Sequence, residues 1–215
     1  LEAQFTPGSG NWCTWMFGRD LVNWNNNFTW AKWVTPSRDL ISAFKQEGDE
    51  VRFKESIVYY DCNWSNYYPS DNYPFMYKCR SANSSIIKYR YADVLLLKAE
   101  ALIMQDTPDL EGAADIIDEV RDRAKLGALP TSVRSNKNAM LNALLKERRL
   151  ELAFEGQRWF DLVRLDKVEE VMNAVYAKDS GRKAQIYTFD KNSYRLPIPQ
   201  SVIDANDKIH QNPGY

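Results

Sequence analysis

The sequence predicts a mostly α fold, built on tetratricopeptide-like helical hairpins and joined to a loop-rich region with a few short strands. Three observations predict it. Helical periodicity concentrates in residues 86–177. Residues 1–80 hold six of the seven tryptophans and 18 of the 28 aromatic residues, set among Asn, Ser, Gly, Asp and Pro. Between Leu144 and Leu165, Glu147, Arg148, Arg149, Glu151, Glu155, Arg158, Asp161 and Arg164 interleave with Leu152, Phe154, Trp159, Phe160, Leu162 and Val163 on all sides of a helical pattern. A solvated helix confines its charges to one face, so this one is expected to be buried and ion-paired with neighbouring segments. The chain therefore divides into a loop-rich, aromatic-rich region, 1–85, and a helical region, 86–215, together one fragment of a larger domain.

Leu1-Glu2-Ala3-Gln4-Phe5 reads like the interior of a strand, and the expectation is a fragment of a longer protein. Phe28 to Val34 alternates as a half-buried strand would. Thr35-Pro36-Ser37 offers a helix start for Arg38 to Gln46, with Gly48 as its stop. Val51 to Tyr60 carries β-formers and reads as a strand.

From Tyr91 to Met104, Ala92, Leu95, Leu96, Ala99, Leu102 and Ile103 recur at helical spacing until Asp106-Thr107-Pro108 breaks the pattern. Leu110 to Leu126 repeats it through Ala113, Ile117, Val120 and Ala124, and Gly127 closes it. Two such helices on a short loop make an αα-hairpin, the unit of tetratricopeptide stacks. Ala99, Ala101, Ala113 and Ala114 are expected to allow their close approach. A third helix is predicted from about Asn138 to Leu165, and a fourth from Lys167 to Ala177. Gly156 falls inside the third. A mid-helix Gly costs about 1 kcal/mol relative to Ala, so it is expected to mark a backbone contact or a bend.

Composition excludes several functions. A net charge of −1, without a basic stripe, argues against nucleic acid as a partner. No run of about 18 apolar residues occurs that would span a membrane as a helix. Cys13, Cys62 and Cys79 fit no zinc or redox spacing. Cys62 and Cys79 could bridge a loop in an exported protein, or all three stay free thiols. The single histidine, His210, lies in a polar tail, which removes Ser-His-Asp, Cys-His and His-based metal chemistry. No catalytic residue, metal site or cofactor is predicted.

Four segments together resemble the SusD/RagB family of outer-membrane nutrient-binding lipoproteins from Bacteroidetes-type bacteria. They are Tyr89-Arg90-Tyr91-Ala92-Asp93-Val94-Leu95-Leu96-Leu97-Lys98-Ala99-Glu100-Ala101, the helix around Val120-Arg121-Asp122-Arg123-Ala124, Glu147 to Arg164, and an ending that runs from Tyr194-Arg195-Leu196-Pro197-Ile198-Pro199-Gln200 through Ile203-Asp204 to Gln211-Asn212-Pro213-Gly214-Tyr215. The resemblance implies a non-catalytic glycan-binding protein on the extracellular face of the outer membrane. It implies a SusC-like TonB-dependent barrel as partner, over which the protein sits as a lid. Full-length members carry a signal peptide and a lipidated cysteine. Asn11-Trp12 before Cys13 does not look like a lipobox, so membrane attachment is expected only through an N-terminal lipid anchor outside this chain. N-terminal repeats and part of the ligand site are likewise expected to lie in sequence beyond it.

The ligand-binding candidates are Trp12, Trp15, Trp24, Trp30 and Trp33. Flat CH faces of sugars stack on aromatic rings, and Asn23, Asn25, Asn26 and Asn27 offer donors and acceptors for hydroxyls. The competing reading makes these rings core, since loop-rich regions fill space with Trp and Tyr. Trp64, Tyr67 and Tyr68 form a second candidate. Binding by a few stacked rings is expected to be weak, with dissociation constants on the order of micromolar to millimolar. Glu151, Glu155 and Arg158 stand at spacings where they could pair with one another or tie in the tail. A hydrolase would need Glu151 and Glu155, some 6 Å apart along a helix, as paired carboxylates. One-turn spacing rarely sets two carboxylates on opposite faces of a sugar, and the Arg neighbours would hold both ionised. The alternative from another class is a helical-repeat protein-interaction scaffold with no sugar site.

Overall fold

A computed structural model describes residues 1–5, 35–61, 68–78, 85–178 and 188–215. The fold is mostly α, with tetratricopeptide-like hairpins and a few short strands. It comprises two compact units, Leu1–Arg158 and Trp159–Tyr215. Among the described residues no helix is long and apolar enough to cross a membrane.

The first unit begins with β1 (Glu2–Ala3), where the strand reading of Leu1 to Phe5 holds over two residues. Helix α1 (Arg38–Glu47) starts where Ser37 Oγ accepts the Leu40 N–H at 3.1 Å. It stops at Gly48, whose φ of 71° lets its N–H reach the Phe44 and Lys45 carbonyls. The strand expected over Val51 to Tyr60 forms only in its second half. Asp49 accepts the Arg52 N–H and starts α2 (Glu50–Ser56). β2 (Ile57–Tyr60) follows and pairs antiparallel with β3 (Tyr73–Met76), Ile57 opposite Met76 and Tyr60 opposite Tyr73. β4 (Ile86–Ile87) pairs with β1.

Helix α3 (Tyr91–Met104) has the predicted bounds, and α4 (Leu110–Arg123) completes the hairpin. Ala99, Ala113 and Ala114 are fully buried, as expected of a close helix contact. Ala101, expected beside them, points to solvent. α4 ends short of Leu126 and without Gly127. The chain turns at Lys125, whose φ is 61°, and the Arg121 carbonyl takes the N–H groups of Ala124 and Leu126. A short α5 (Thr131–Arg134), unforeseen in the sequence, leads into α6 (Lys137–Glu151). Leu96, Ile103, Ile117, Met140 and Leu144 close the core between α3, α4 and α6.

The predicted single helix from Asn138 to Leu165 is two. α6 ends at Glu151, and α7 (Arg158–Arg164) follows a turn in which Phe154 and Gly156 have φ of 66° and 80°. Side chains occupy the terminal Glu151 carbonyl instead of a further helical turn, Lys78 Nζ and Arg90 Nη2 donating to it at 2.8 and 2.6 Å. Arg158 Nη1 reaches back to the Leu145 carbonyl within the helix at 3.1 Å. A Cβ on Gly156 would meet nothing within 4 Å, so the bend, not a close backbone contact, explains this glycine.

The second unit holds α8 (Val168–Lys178), a 3₁₀ turn over Lys191–Tyr194 closed by an Asp190/Ser193 capping box, and α9 (Gln200–Asp204). Phe189 packs against Trp159 and Tyr176, and the Asn173 amide bonds both backbone groups of Phe189. The tail is tied by Gln211 to both backbone groups of Ile198, and by Asn212 to the Leu196 carbonyl at 2.7 Å.

Candidate functional site

Among the described residues the densest cluster of ionisable groups gathers around the C-terminal half of α6. Glu147, Arg148 and Glu151 are buried there, as the all-round charge pattern predicted. Their partners come from distant segments. Arg52 of α2 donates to Glu147 at 2.6 Å and Glu151 at 3.0 Å, and its Nε bonds Asp49 at 2.5 Å. Arg90 lies between two carboxylates, 2.5 Å from Glu151 and 2.8 Å from Glu155. Lys78 holds Glu155 at 2.5 Å, and Arg123 closes on Glu151. Arg121 binds Glu47 at 2.7 Å and Glu147 at 3.3 Å. Arg148 pairs with buried Asp93 of α3 at 2.9 Å, and Arg149 with Asp39 of α1 at 2.5 Å. α6 is thus pinned to α1, α2, α3, α4 and the Lys78 segment.

The cluster lines an open depression of about 290 Å³, bordered by Arg52, Lys78, Arg90, Arg123 and Glu151. Its electrostatics suit structure. Burial alone would raise the Glu151 carboxyl, but hydrogen bonds and charge from Arg123 and Arg90 outweigh it and bring the pKa down to about 2. Burial pushes Glu147 up against the opposing pull of Arg52 and Arg121. Lys78 is lowered by burial, with Glu155 opposing. Glu151 and Glu155, read from their spacing as free to pair with Arg158 or tie in the tail, take Arg52, Lys78, Arg90 and Arg123, and Arg158 donates to the Leu145 carbonyl. With Arg90 bridging them, neither Glu151 nor Glu155 is placed to serve as acid or nucleophile on a sugar.

The sequence-predicted ligand residues Trp12, Trp15, Trp24, Trp30 and Trp33 lie outside the described residues, as do Asn23, Asn25, Asn26, Asn27 and the strand read at Phe28 to Val34. So do Cys13, Cys62, Cys79, Trp64 and Tyr67. Tyr68, from the second candidate group, is half-buried. Its hydroxyl donates to the Pro36 carbonyl at 2.7 Å, Arg38 sits 4.7 Å from its ring centre, and its edge meets Tyr73. With Tyr60, Tyr73 and Phe75 it fills the space over the β2–β3 hairpin. For this ring the core reading applies. Sequence reasoning missed Arg52 and Lys78, which carry no periodic signal and reach α6 only through the fold.

The chain resembles known proteins along its whole length. The SusD family model matches residues 72–215. Two relatives from Formosa agariphila are SusD-like protein P38, 42% identical over 99 residues, and SusD-like protein P2, 35% identical over 143. These matches span 43% and 63% of this chain but 19% and 27% of those proteins. A SusD homolog from Bacteroides thetaiotaomicron shares the fold at a TM-score of 0.73 and 21% identity, over 100% of this chain and 51% of its own. A solved laminarin-binding SusD-like protein is similar at a TM-score of 0.57 and 26% identity, over 84% of this chain and 38% of its own. The chain thus spans about half the length, or less, of the proteins it matches. With the family's pattern matched from residue 72 to residue 215 and its fold shared throughout, the chain belongs to the SusD family.

Proposed function

We propose that this protein binds oligo- or polysaccharide at the outer surface of the cell and passes it to a SusC-like TonB-dependent transporter, without chemistry on the sugar. The observation that carries the reading is SusD-family membership, joined to likeness to a laminarin-binding relative. Saturation of Glu151 and Glu155 by guanidiniums favours a framework role for the charged segment. In this reading the aromatic-rich region, 1–85, carries the ligand contacts through Trp12, Trp15, Trp24, Trp30 and Trp33, and 86–215 is the scaffold. The full-length protein is held to the membrane by a lipid anchor. Weak contacts suit a capture protein that must release its cargo, and many copies on one cell restore retention of a long polymer by avidity.

Calorimetry and tryptophan fluorescence against a panel of polysaccharides, laminarin included, test the proposal. Saturable binding of at least one glycan, without new reducing ends, is the expected result. Silence toward every glycan, with tight binding to a TonB-dependent barrel, would replace it with the protein-interaction scaffold.

A further inference from the structure

The ion-pair network leaves donors over at one place. α2, the Lys78 segment and the ends of α4 and α6 meet around the open depression of about 290 Å³. Arg90 spends Nε, Nη1 and Nη2 on Glu151 and Glu155. Its neighbours do not. Arg123 gives Nη2 to Glu151 and is 60% exposed, so its Nε and Nη1 stay available among the described residues. Lys78 donates to the Glu151 carbonyl and to Glu155, which uses two of its three N–H bonds. Arg52 Nη2 is buried with no hydrogen-bond partner among the described residues. A buried N–H left unpaired is costly, and native folds keep few of them. Glu151 has no oxygen to spare, since one accepts from Arg90 and Arg123 and the other from Arg52. Glu55, also on the border, is exposed.

Beside these donors the accessible wall is mostly apolar, and Val51, 45% exposed, stands on it with Ala124 and Leu150. A ligand that answers both surfaces carries a carbon face and an oxyanion on one small body. A neutral sugar leaves the cationic donors unanswered, and an inorganic anion leaves the apolar wall bare. We propose that the depression binds an acidic sugar residue, its carboxylate or sulfate ester held by Arg123 and Lys78 with Arg52 Nη2 behind them, and its CH face laid on Val51. A guanidinium fork matches either oxyanion through paired N–H bonds. The volume stands at the small end of ligand sites, with room for one monosaccharide at a chain end or branch. The proposal rests on the glycan-binding reading and adds a charge-selective contact to the tryptophans.

Saturation-transfer NMR on the full-length protein tests it, with glucuronate, glucose 6-sulfate and glucose as ligands and sodium sulfate as competitor. Glucuronate and glucose 6-sulfate are expected to bind saturably, with dissociation constants on the order of millimolar and at least about tenfold below that of glucose. Val51→Trp fills the depression without touching an ion pair, and is expected to abolish both signals at an unchanged Tm. Arg123→Gln is expected to weaken both sugars at least about fivefold and Arg123→Lys by less, because the fork is lost and the charge kept. Glu55→Gln is expected to strengthen both. Glucose that binds as tightly as the acidic sugars overturns the proposal, as does a folded Val51→Trp or Arg123→Gln variant that binds them like wild type. Sodium sulfate that binds as tightly as glucose 6-sulfate overturns it too, and makes the depression a bare anion site. Polysaccharide binding that persists while both acidic sugars stay silent refutes this site and leaves the proposed function standing.

Discussion

Glu151→Gln removes one charge from the centre of the network while keeping its shape and an acceptor oxygen. The side chain is 2% exposed, so solvent screening does little to weaken its bonds to Arg52, Arg90 and Arg123. Folding moves its carboxyl from 4.5 to about 2. At 1.36 kcal/mol per unit this corresponds to about 3 kcal/mol of stability at pH 7. Removing one partner of a buried ion pair costs about 3–5 kcal/mol by an independent route, and a Gln that still accepts hydrogen bonds belongs at the low end. Because the folded pKa is depressed, the contribution is complete above the unfolded value of 4.5 and is lost as pH falls toward 2. Roughly half remains at pH 3. Glu147 is shifted the other way, so its ionisation opposes folding and the wild-type acid curve is a sum of both. The difference between wild type and Glu151→Gln reports Glu151 together with the change it imposes on Glu147 through their shared Arg52. Urea denaturation followed by circular dichroism at pH 7, 5, 4 and 3 measures it. A variant as stable as wild type at pH 7, or a gap that does not narrow below pH 4, would refute the reasoning.

Three further outcomes follow from local geometry. Gly156→Ala should cost about 1–2 kcal/mol in chemical denaturation, because φ of 80° is unfavourable for an L side chain though the space around it is open, and Gly156→Asn should cost less. Ala99→Leu, at a fully buried contact of the α3–α4 hairpin, should cost about 1–3 kcal/mol by overpacking, whereas Ala101→Leu in the 215-residue chain should be near neutral. Asp49→Ala removes both the cap of α2 and a partner of Arg52, and should cost about 2–3 kcal/mol, with loss of α2 amide protection in hydrogen exchange.

Where residues signal locally, the sequence could be read to the residue. Tyr91 and Met104 bound α3 as predicted because the apolar period starts and stops there. Where the signal is long-range, it could not. Periodicity runs through Leu152–Gly156 and only Gly156 pointed to a bend, whereas Lys78 and Arg90, far off in sequence, take the Glu151 carbonyl where the helix ends. Val51 to Tyr60 is rich in β-formers, but a capping Asp49 that also holds Arg52 tips its first half into helix. The burial and pairing of α6 were legible in its interleaved charges, while the identity of Arg52 and Lys78 as partners was not. Of the ligand-binding candidates, Tyr68 is occupied in packing, a fate its aromatic context allowed as readily as exposure.

The proposed function makes the charged helix framework and puts the ligand contacts among the aromatic residues. Titrating the full-length protein at pH 7 with a saturating series of each polysaccharide, reading tryptophan emission and reducing ends in the same samples, tests it most directly. The account predicts a saturable emission change with at least one glycan, a dissociation constant on the order of micromolar to millimolar, and no new reducing ends. Emission flat against every glycan would contradict it, and so would reducing ends that accumulate with wild type and vanish in a folded Glu151→Gln variant.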